Sequence, residues 1–334
     1  MSAPLIGVIG CGSMGQSLVR AGTKSGVVRL HAAADPDASS RQRFAKLNPE
    51  ATLYGDAAEM LAAGGLDGVL VATPPFLRRQ YAEAILEAGL PVFVEKPMAL
   101  SVEDAIAMRD AARQRGLPLM VGHVLRLLQP FRTIIQEVRS GELGAPLAVT
   151  IDRTCNGFGS FERSWRNQKQ LAGNGLFEIS VHEFDVICEI FNAQPVRVSA
   201  LGTEVDTKRT GNDYRNSFSV QLDFGHGRIG HSWSSIEDAL GTSTGHVILE
   251  RGALRYEGWA DGIHRIQTNG EKEHISADRL ESVDPIADEL AMFAEAIRSG
   301  TAPALGAEVG IRAVKIAVAA GQSADAEGAP VALT

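Results

Sequence analysis

The chain has 334 residues, of which 45% are hydrophobic and 22% charged, an ordinary composition for a globular protein with room for two domains. The formal net charge of −8 shows no basic bias, so nucleic acid is not expected as a partner. Three cysteines without a CxxC pair argue against a disulfide framework and a structural zinc site, and they fit a reducing cytoplasm. The first apolar run, residues 5–9, is too short for a signal peptide or a membrane span, so no membrane association is expected.

Residues 1–122 alternate between short apolar runs and helical patterns. Strands are predicted at 5–10, 27–35, 52–54, 67–73, 91–95 and 118–122. Helices are predicted at 12–22, 37–47, after Asp56, at 77–88 and at 101–116. Continuous apolar strands that alternate with helices indicate a doubly wound parallel sheet covered on both faces, so the first domain is predicted to be α/β.

The first strand–helix junction reads GCGSMG, residues 10–15, which is a GxGxxG pattern. Gly10 would make the tight turn, Gly12 would let the backbone approach a pyrophosphate, and Gly15 would let helix and strand pack closely. Ser13 and Met14 open the helix, whose N–H groups and positive dipole end attract phosphate. The junction therefore predicts a dinucleotide site, against the alternative of an ordinary glycine turn.

Asp35 ends the second predicted strand, 20 residues after Gly15. A carboxylate at this place would accept hydrogen bonds from a ribose diol and repel a 2′-phosphate, so NAD is predicted in preference to NADP. The alternative is that Asp35 caps the next helix or stabilises a turn. Arg41 and Arg43 are near and would be the residues to examine if NADP were preferred.

Several candidate residues stand where the fourth, fifth and sixth predicted strands end. Ligands of open parallel sheets bind at the carboxyl ends of the strands, so these residues are predicted to line the cofactor edge. They are Ala72, Thr73, Pro74, Glu95, Lys96 and His123. Charged groups at such a buried edge are costly unless something binds or uses them. A sharp turn is needed to aim Lys96 into the cleft, so a cis peptide is predicted at Lys96–Pro97.

Residues 123–334 have a different pattern and form a predicted second domain. Alternating runs at 146–154, 196–205, 216–224, 228–235, 245–250, 253–258 and 263–276 predict a largely antiparallel sheet. Helices are predicted near 130–140, 285–299 and 307–320, which makes this domain α+β. Because one face of the sheet is not obviously covered by helices, pairing into a homodimer or homotetramer through that face is expected.

A mostly apolar helix predicted from residue 176 to 191 carries Glu178, His182, Asp185 and Glu189 at steps of four, three and four. These side chains would form one polar stripe, which is expensive in a buried helix unless it faces a wet cleft or partners. An acid/base site is one interpretation, and a solvated face with ordinary ion pairing is the other. Glu178 and His182 could also bind a metal, but nothing nearby completes a zinc-like set, so no metal is expected.

Two further residues are candidates for substrate binding. Arg126 lies just beyond the sixth strand, where it could contact a polar substrate, and its alternative is an ordinary surface arginine. Trp165 precedes the polar helix and could border the same cleft.

Together these residues resemble the glucose–fructose oxidoreductase/inositol dehydrogenase family, Gfo/Idh/MocA, nearly from end to end. The resemblance rests on GVIGCGSMG (7–15), VATPP (71–75), VEKPMALS (94–101), SGELGAPLAV (140–149), GNGLFEISVHEFD (173–185) and AEGAPVAL (326–333). It implies that Lys96 sits beside nicotinamide and substrate, with Glu178 and His182 completing the site. The family pattern usually has Asp where this chain has Glu178, and Asn and then His where Pro75 and Arg78 stand.

The sequence therefore predicts a cytoplasmic NAD-dependent dehydrogenase that oxidises a secondary hydroxyl of a cyclic polyol or sugar. His182 would take the hydroxyl proton, Lys96 would bind the hydroxyl and stabilise the alkoxide, and Glu178 would orient one of them. Lys96 and His182 are predicted to converge on one substrate hydroxyl. Three alternatives stay open: a keto-sugar reductase that uses NADPH or NADH, an NAD-retaining hydrolase or epimerase, and a non-catalytic sensor.

Overall fold

The computed structural model describes residues 2–155, 165–205, 211, 213–259 and 261–333. The α-helices are α1 Ser13–Lys24, α2 Ala38–Leu47, α3 Ala57–Ala63, α4 Arg78–Glu87, α5 Val102–Arg115, α6 Phe131–Ser140, α7 Lys169–Ala172, α8 Val181–Phe191, α9 Pro285–Ser299 and α10 Ala307–Asp325. Within these ranges no helix combines the length and the apolar character needed to cross a membrane.

The strands follow the predicted runs closely. They are β1 Leu5–Ile9, β2 Arg29–Ala34, β3 Thr52–Tyr54, β4 Gly68–Val71, β5 Val92–Glu95, β6 Leu119–Gly122, β7 Pro146–Thr154, β8 Arg197–Thr203, β9 Ser217–Asp223, β10 Ile229–Ser235, β11 Ser243–Leu249, β12 Gly252–Glu257, β13 Ile263–Gln267, β14 Lys272–Ile275 and β15 Val331–Ala332. The predicted run at 263–276 is a hairpin of two strands, β13 and β14.

The chain divides into two compact units. The first comprises Met1–Val124 and Asp284–Ile311, and the second comprises Leu125–Val283 and Arg312–Thr334. The sequence prediction placed the first division between residues 122 and 123 and assigned everything after it to the second domain. The structure instead packs residues 284–311 with the first unit.

The first unit contains a parallel sheet with strand order β3-β2-β1-β4-β5-β6, which confirms the predicted doubly wound α/β fold. Every residue of β4, β5 and β6 is buried, as expected for strands covered on both faces. Local signals fix the helix ends as predicted. The Ser101 hydroxyl accepts the Asp104 N–H at 3.1 Å at the start of α5, and Gly116 ends the helix with a left-handed φ of 63°.

Helix α9 covers one face of this parallel sheet, which is the physical reason that residues 284–311 belong to the first unit. The rings of Phe93 on β5 and Phe293 on α9 meet edge to face, with their centroids 5.9 Å apart. A Cβ at Gly22 on α1 would lie only 2.8 Å from a methyl of Leu290. The glycine therefore lets α1 and α9 approach each other closely.

The second unit contains a nine-stranded sheet with order β14-β13-β12-β11-β7-β10-β9-β8-β15. All neighbouring strands are antiparallel except β7 and β10, which run parallel, so the predicted mainly antiparallel sheet is confirmed. Helix α8 packs on one face, where a Cβ at Gly230 would lie 2.8 Å from the Ile187 side chain. The opposite face exposes large apolar side chains: Leu201, Ile229, Trp233, Ile248 and Ile266.

Candidate functional site

The GxGxxG segment forms a tight turn between β1 and α1. Gly10 has a φ of 103°, and a Cβ there would lie 2.7 Å from the Ala72 carbonyl oxygen. A Cβ at Gly15 would lie 2.0 Å from the Gly10 carbonyl oxygen, so only glycine lets the helix start this close to the strand. A Cβ at Gly12 would meet nothing within 4 Å. The three glycines therefore differ, because two are required by the protein's own packing and one faces open space.

The N-terminus of α1 is suited to an anion. The N-cap, Gly12, supplies no side-chain hydrogen bond, and the first turn contains no acidic residue. Ser13 and Met14 are both exposed at this end of the helix. The free N–H groups and the helix dipole favour a phosphate there.

Asp35 follows β2 and lies beside this turn. Its Oδ2 accepts the Cys11 N–H at 2.8 Å, and its Oδ1 accepts the Asp37 N–H at 2.9 Å. The N-cap of α2 is Asp37, whose carboxylate accepts the N–H groups of the first turn, so Asp35 is not the helix cap. Arg41 donates to the backbone carbonyl oxygens of Asp35 and Pro36 at 2.6 and 3.0 Å. That arginine is held by the backbone around Asp35.

Arg43, the other arginine considered for NADP, is engaged on the exposed side of α2. Its guanidinium donates to the hydroxyls of Ser39 and Ser40 at 3.1 and 2.9 Å. The Asp35 carboxylate lies at the end of β2, where its bond to the Asp37 N–H also stabilises the turn that leads into α2.

The loops after β4 and β5 are tied together by Arg78. This buried guanidinium donates to the Thr73 carbonyl oxygen at 3.0 Å and to the Pro97 carbonyl oxygen. The position was noticed in the sequence only as a departure from the family pattern. Its structural role was missed, because the two acceptors are backbone groups that no side-chain pattern reveals.

The predicted cis peptide at Lys96–Pro97 is confirmed, and a second one, at Gln129–Pro130, was not predicted. Glu95 is buried, and its Oε2 accepts the Lys96 N–H at 3.1 Å. Lys96 is half-buried, and His123, which follows β6, is fully buried. The carboxyl ends of β5 and β6 thus carry the predicted polar residues side by side.

NAD fits the residues of this edge. The space above Gly12 is open, the N-terminus of α1 is uncapped by a side chain, and Pro74 and Ala72 continue the edge after β4. The hydroxyl of Thr73 is buried, yet no described residue gives its Oγ1 a hydrogen bond. A buried polar group of this kind needs a partner, and a bound dinucleotide can supply one.

In the second unit, the predicted single helix from residue 176 to 191 has two parts. A π-turn, Leu176–Ser180, carries Glu178, and α8 then begins with His182 in its first turn. The π-turn gives the helix a wider step, a feature frequent at functional sites. His182 is nine-tenths buried. The stripe seen in the sequence is therefore divided, with Glu178 and His182 at the irregular start and Asp185 and Glu189 in regular helix.

Asp185 and Glu189 belong to an ion-pair cluster with Arg126. The Arg126 guanidinium donates through two nitrogens to Asp185 and through the third to Glu189. Arg139 also pairs with Glu189, and Arg312 lies 3.5 Å from Asp185. Each guanidinium nitrogen of Arg126 thus donates to a carboxylate of the same unit, and its contact with substrate stays a prediction.

Glu178 lies in a different setting from the rest of the stripe. Its Oε1 is 3.8 Å from Nε of Arg166, whose guanidinium stacks 4.3 Å above the ring centre of Trp165. The Tyr214 hydroxyl donates to the Arg166 carbonyl oxygen at 2.7 Å. Burial and then the charge of Glu178 raise the pKa of Tyr214 above its ordinary value.

Cys155 and Glu237 are near Glu178 and were missed in the sequence. Burial raises the pKa of the Cys155 thiol, Arg153 lowers it, and Glu237 and Glu178 raise it further. Cys155 follows β7 and Glu237 follows β10, and these two strands run parallel and pair up to their last residues, Thr154 and Ser235. Only that parallel pairing brings the two positions together, so no spacing in the sequence reveals them.

Two models of one family match the chain. The first, described as an oxidoreductase family with an NAD-binding Rossmann fold, matches residues 5–123, and the second, the GFO/IDH/MocA C-terminal domain, matches residues 131–255. The first match spans all six strands of the parallel sheet. The first unit is therefore built on an NAD-binding Rossmann domain.

Individual proteins are similar to parts of the chain or to its fold. The rhizopine catabolism protein MocA of Rhizobium meliloti is 32% identical over 191 residues, which is 57% of this chain and 58% of that protein. An inositol 2-dehydrogenase of Burkholderia lata is 29% identical over 185 residues, 54% of this chain and 52% of that protein. The chain spans about half the length of the curated relatives it matches.

A solved structure is similar over almost the entire length. The aldose–aldose oxidoreductase of Caulobacter crescentus, complexed with glycerol, has a TM-score of 0.86 and 22% identity, and the match covers 99% of this chain and 100% of that one. At this identity the similarity shows the fold.

Proposed function

Because the chain belongs to the Gfo/Idh/MocA oxidoreductase family, as its motifs predicted, we propose that it is an NAD-dependent dehydrogenase that oxidises a secondary hydroxyl of a cyclic polyol or sugar. The observation that carries the proposal is the place of Lys96, which follows β5 at the carboxyl edge of the sheet whose first strand ends in the GxGxxG turn. The names of the relatives, an inositol 2-dehydrogenase and an aldose–aldose oxidoreductase, support a polyol or sugar as substrate. When bound, NAD accepts the hydride that leaves the alcohol carbon.

The chain's own residues handle the proton and the hydroxyl. In the proposal, the ammonium of Lys96 binds the reacting hydroxyl and stabilises negative charge as it develops on the oxygen. His182 takes the proton, since an imidazole with an ordinary pKa of about 6.5 can act as a base near neutral pH. Lys96 lies in the first unit and His182 in the second. Their convergence on one hydroxyl is part of the proposal.

Glu178 is proposed to orient the substrate rather than to take its proton. An ionised carboxylate only accepts hydrogen bonds, so it suits the hydroxyl donors of a polyol. Arg166 lies 3.8 Å from Glu178, and its guanidinium stacks on Trp165, so the two side chains could form one side of a site for a ring-shaped ligand. The longer side chain of Glu, where the family usually has Asp, would move this acceptor outward by one methylene.

A substrate screen tests the activity. The protein is incubated with NAD and a panel of inositols, hexoses and sugar acids, and the absorbance of reduced nicotinamide is followed. The proposal expects stoichiometric NADH with at least one member of the panel. Product formed without net NADH would instead indicate an enzyme that keeps and regenerates its cofactor, and the dehydrogenase proposal would then be wrong.

Four variants test the residues. Lys96→Ala and His182→Ala should each lower kcat by about 10²-fold or more while NAD still binds, because loss of a general base typically costs 10²–10⁴. Lys24→Ala and His31→Ala, exposed residues of the first unit, are the matched controls and should leave kcat unchanged. Near wild-type kcat in His182→Ala would place the base elsewhere, and Lys96 would then be the next candidate.

We also propose that the exposed face of the nine-stranded sheet pairs with a second copy of the chain, giving a homodimer or homotetramer. The strand register places Ile229, Ala148, Ile248, Ala253 and Ile266 in one row across five neighbouring strands. An apolar row of this length is unusual on a monomer surface. Light scattering at micromolar concentration tests the proposal, which fails if the wild-type mass is monomeric. The variant Ile229→Lys should shift the mass toward monomer.

A further inference from the structure

A second buried carboxyl group lies beside Glu-Lys-Pro, on α9. The helix runs antiparallel to β5, because its later residues Phe293 and Ile297 fill the space over Gly68 at the start of the neighbouring strand β4. Phe93 meets Phe293 at 5.9 Å between ring centroids. Two residues along a strand advance about 6.6 Å, and four residues along a helix advance about 6 Å.

The same spacing brings two carboxyl groups together. Glu95 lies two residues after Phe93 on the same face of β5, and Glu289 lies four residues before Phe293 on the same face of α9. Counting from the contact between the two phenylalanines, Glu289 therefore stands opposite Glu95. Glu289 is 1% exposed and Glu95 is 5% exposed.

The two carboxyl groups, of Glu95 and Glu289, have different surroundings. Glu95 accepts the Lys96 N–H at 3.1 Å, and the absence of a side chain at Gly122 on β6 makes room for its carboxyl carbon, 3.3 Å from where a Cβ would be. No described residue gives Oε1 of Glu289 a hydrogen bond. Burial raises the pKa of Glu289 well above its ordinary value, and the negative charge of Glu95 raises it further.

Two adjacent buried carboxyl groups cannot both be ionised at little cost. The N–H donor on Glu95 favours its ionised form, so Glu289 is the group that keeps the proton. A protonated carboxyl group has an O–H to donate, and the ionised Glu95 is an acceptor beside it.

We propose that Glu289 is a positioning residue for the Glu-Lys-Pro segment: as a neutral carboxylic acid it donates a hydrogen bond to Glu95, which in turn holds the backbone that presents Lys96. The inference rests on the proposed function, since it matters for turnover only if Lys96 binds the substrate. Among the described residues, Glu95 on β5 is the charged group whose negative charge raises the pKa of Glu289 beyond the effect of burial.

The proposal makes the carboxyl pair sensitive to alkaline pH. In the unfolded chain Glu289 loses its proton near its ordinary pKa of about 4.3, whereas in the folded chain it keeps the proton to a higher pH. Between these two values the unfolded state binds fewer protons, so the folded state loses stability as the pH rises. Glu289→Gln keeps a hydrogen-bond donor at every pH and removes this loss.

The first experiment measures thermal unfolding of the protein without substrate from pH 5.5 to 8.5. The melting temperature of Glu289→Gln relative to wild type should rise by about 5 °C or more across this range. Glu295→Gln, an exposed position on the same helix, is the matched control and should follow wild type at each pH. If the melting temperatures of wild type and Glu289→Gln change in parallel with pH, the proposed hydrogen bond between Glu289 and Glu95 is wrong. This readout needs no substrate, so it still decides if the proposed activity is wrong.

The second experiment measures kcat against pH with the substrate found in the screen. The kcat of Glu289→Gln should stay within about threefold of the wild-type kcat at pH 7. At alkaline pH the wild-type kcat should fall as Glu289 loses its proton, and the kcat of Glu289→Gln should not show this fall. Glu289→Met, which has no donor, should fold but lower kcat about tenfold at pH 7 with KM little changed. Equal kcat and equal pH profiles for the Met and Gln variants would show that Glu289 serves packing alone, and the positioning role would be wrong.

Discussion

The three glycines of the turn after β1 have different tasks, and substitution by alanine should separate them. Gly15→Ala introduces a Cβ that would lie 2.0 Å from the Gly10 carbonyl oxygen, so backbone must move by about 1 Å to restore normal contact. Overpacking typically costs about 1–3 kcal/mol, and at a contact this short we take the upper end. Alanine regains about 1 kcal/mol of helix propensity. The net loss should be about 2 kcal/mol, or about 4–8 °C in melting temperature for a domain of this size.

Gly12→Ala is the matched variant, with the opposite expectation. Its φ of −71° is open to any residue, and a Cβ would meet nothing within 4 Å. Losing glycine at an N-cap costs a few tenths to about 1 kcal/mol, and reduced freedom of the unfolded chain returns about 0.4–1 kcal/mol. The melting temperature without cofactor should therefore stay within about 2 °C of wild type.

Thermal unfolding with and without NAD reads both effects in one assay. At 100 times its dissociation constant, a ligand stabilises a folded protein by about 2.7 kcal/mol, so wild type should gain about 5–10 °C. Gly12→Ala should lose most of that gain, because its methyl group fills the approach of the pyrophosphate. If Gly12→Ala keeps the full gain, or is as unstable without NAD as Gly15→Ala, the assigned roles of the two glycines are wrong.

Three further predictions concern other parts of the molecule. Asp35→Ser combined with Pro36→Arg should raise the ratio of kcat/KM for NADP over NAD by about tenfold or more, and a wild type that already prefers NADP would contradict the role of Asp35. Arg126→Ala should lower unfolding free energy by about 3–5 kcal/mol, since it leaves two largely buried carboxylates without their main cation. The exposed control Arg197→Ala should scarcely change the denaturant midpoint, and equal effects of the two would refute the contrast. Burial raises the pKa of the Cys188 thiol to about 12, so a thiol reagent at pH 8 should label this residue only after the protein unfolds. Peptide mapping locates the label, and rapid labelling of Cys188 in the native protein would contradict its burial.

The N-terminal part of the first unit, residues 1–124, could be predicted from the sequence because its signals are local. Each strand is a short apolar run, and the glycine turn, the Ser101 cap and the stop at Gly116 act within a few residues of their own positions. Lys96 could be placed at the carboxyl edge of the parallel sheet from the predicted strands alone, since the carboxyl ends of parallel strands share one edge.

The polar stripe on the second-unit helix was only partly readable. A step of four residues from Glu178 to His182 looks regular in sequence, and nothing in the residue types marks the π-turn that contains Glu178. The partners of Asp185 and Glu189 come from distant segments, and charge pairing across long sequence separations leaves no period to detect. The ionisable stripe therefore indicated burial with partners, but it could not show which of its residues form ion pairs.

The grouping of residues 284–311 with the first unit was not predicted, for a related reason. Their helix is amphipathic, and its apolar stripe predicts burial without saying against which sheet. The helix packs against Gly22 and Gly68, and nothing in the sequence distinguishes these glycines from other small residues. Only the packed structure shows that their missing side chains leave room for Leu290, Phe293 and Ile297.

The return of residues 284–311 to the first unit has a consequence for synthesis on the ribosome. When Val124 has emerged, the parallel sheet has all its strands but lacks the helix that covers Phe93. Roughly 160 residues of the second unit must be translated before that helix exists, which takes about 8–30 s at common elongation rates. During that interval an apolar sheet face stays open to chaperones or to premature association. A fragment that ends at residue 122 would keep that face open permanently and should be recovered mainly as aggregate.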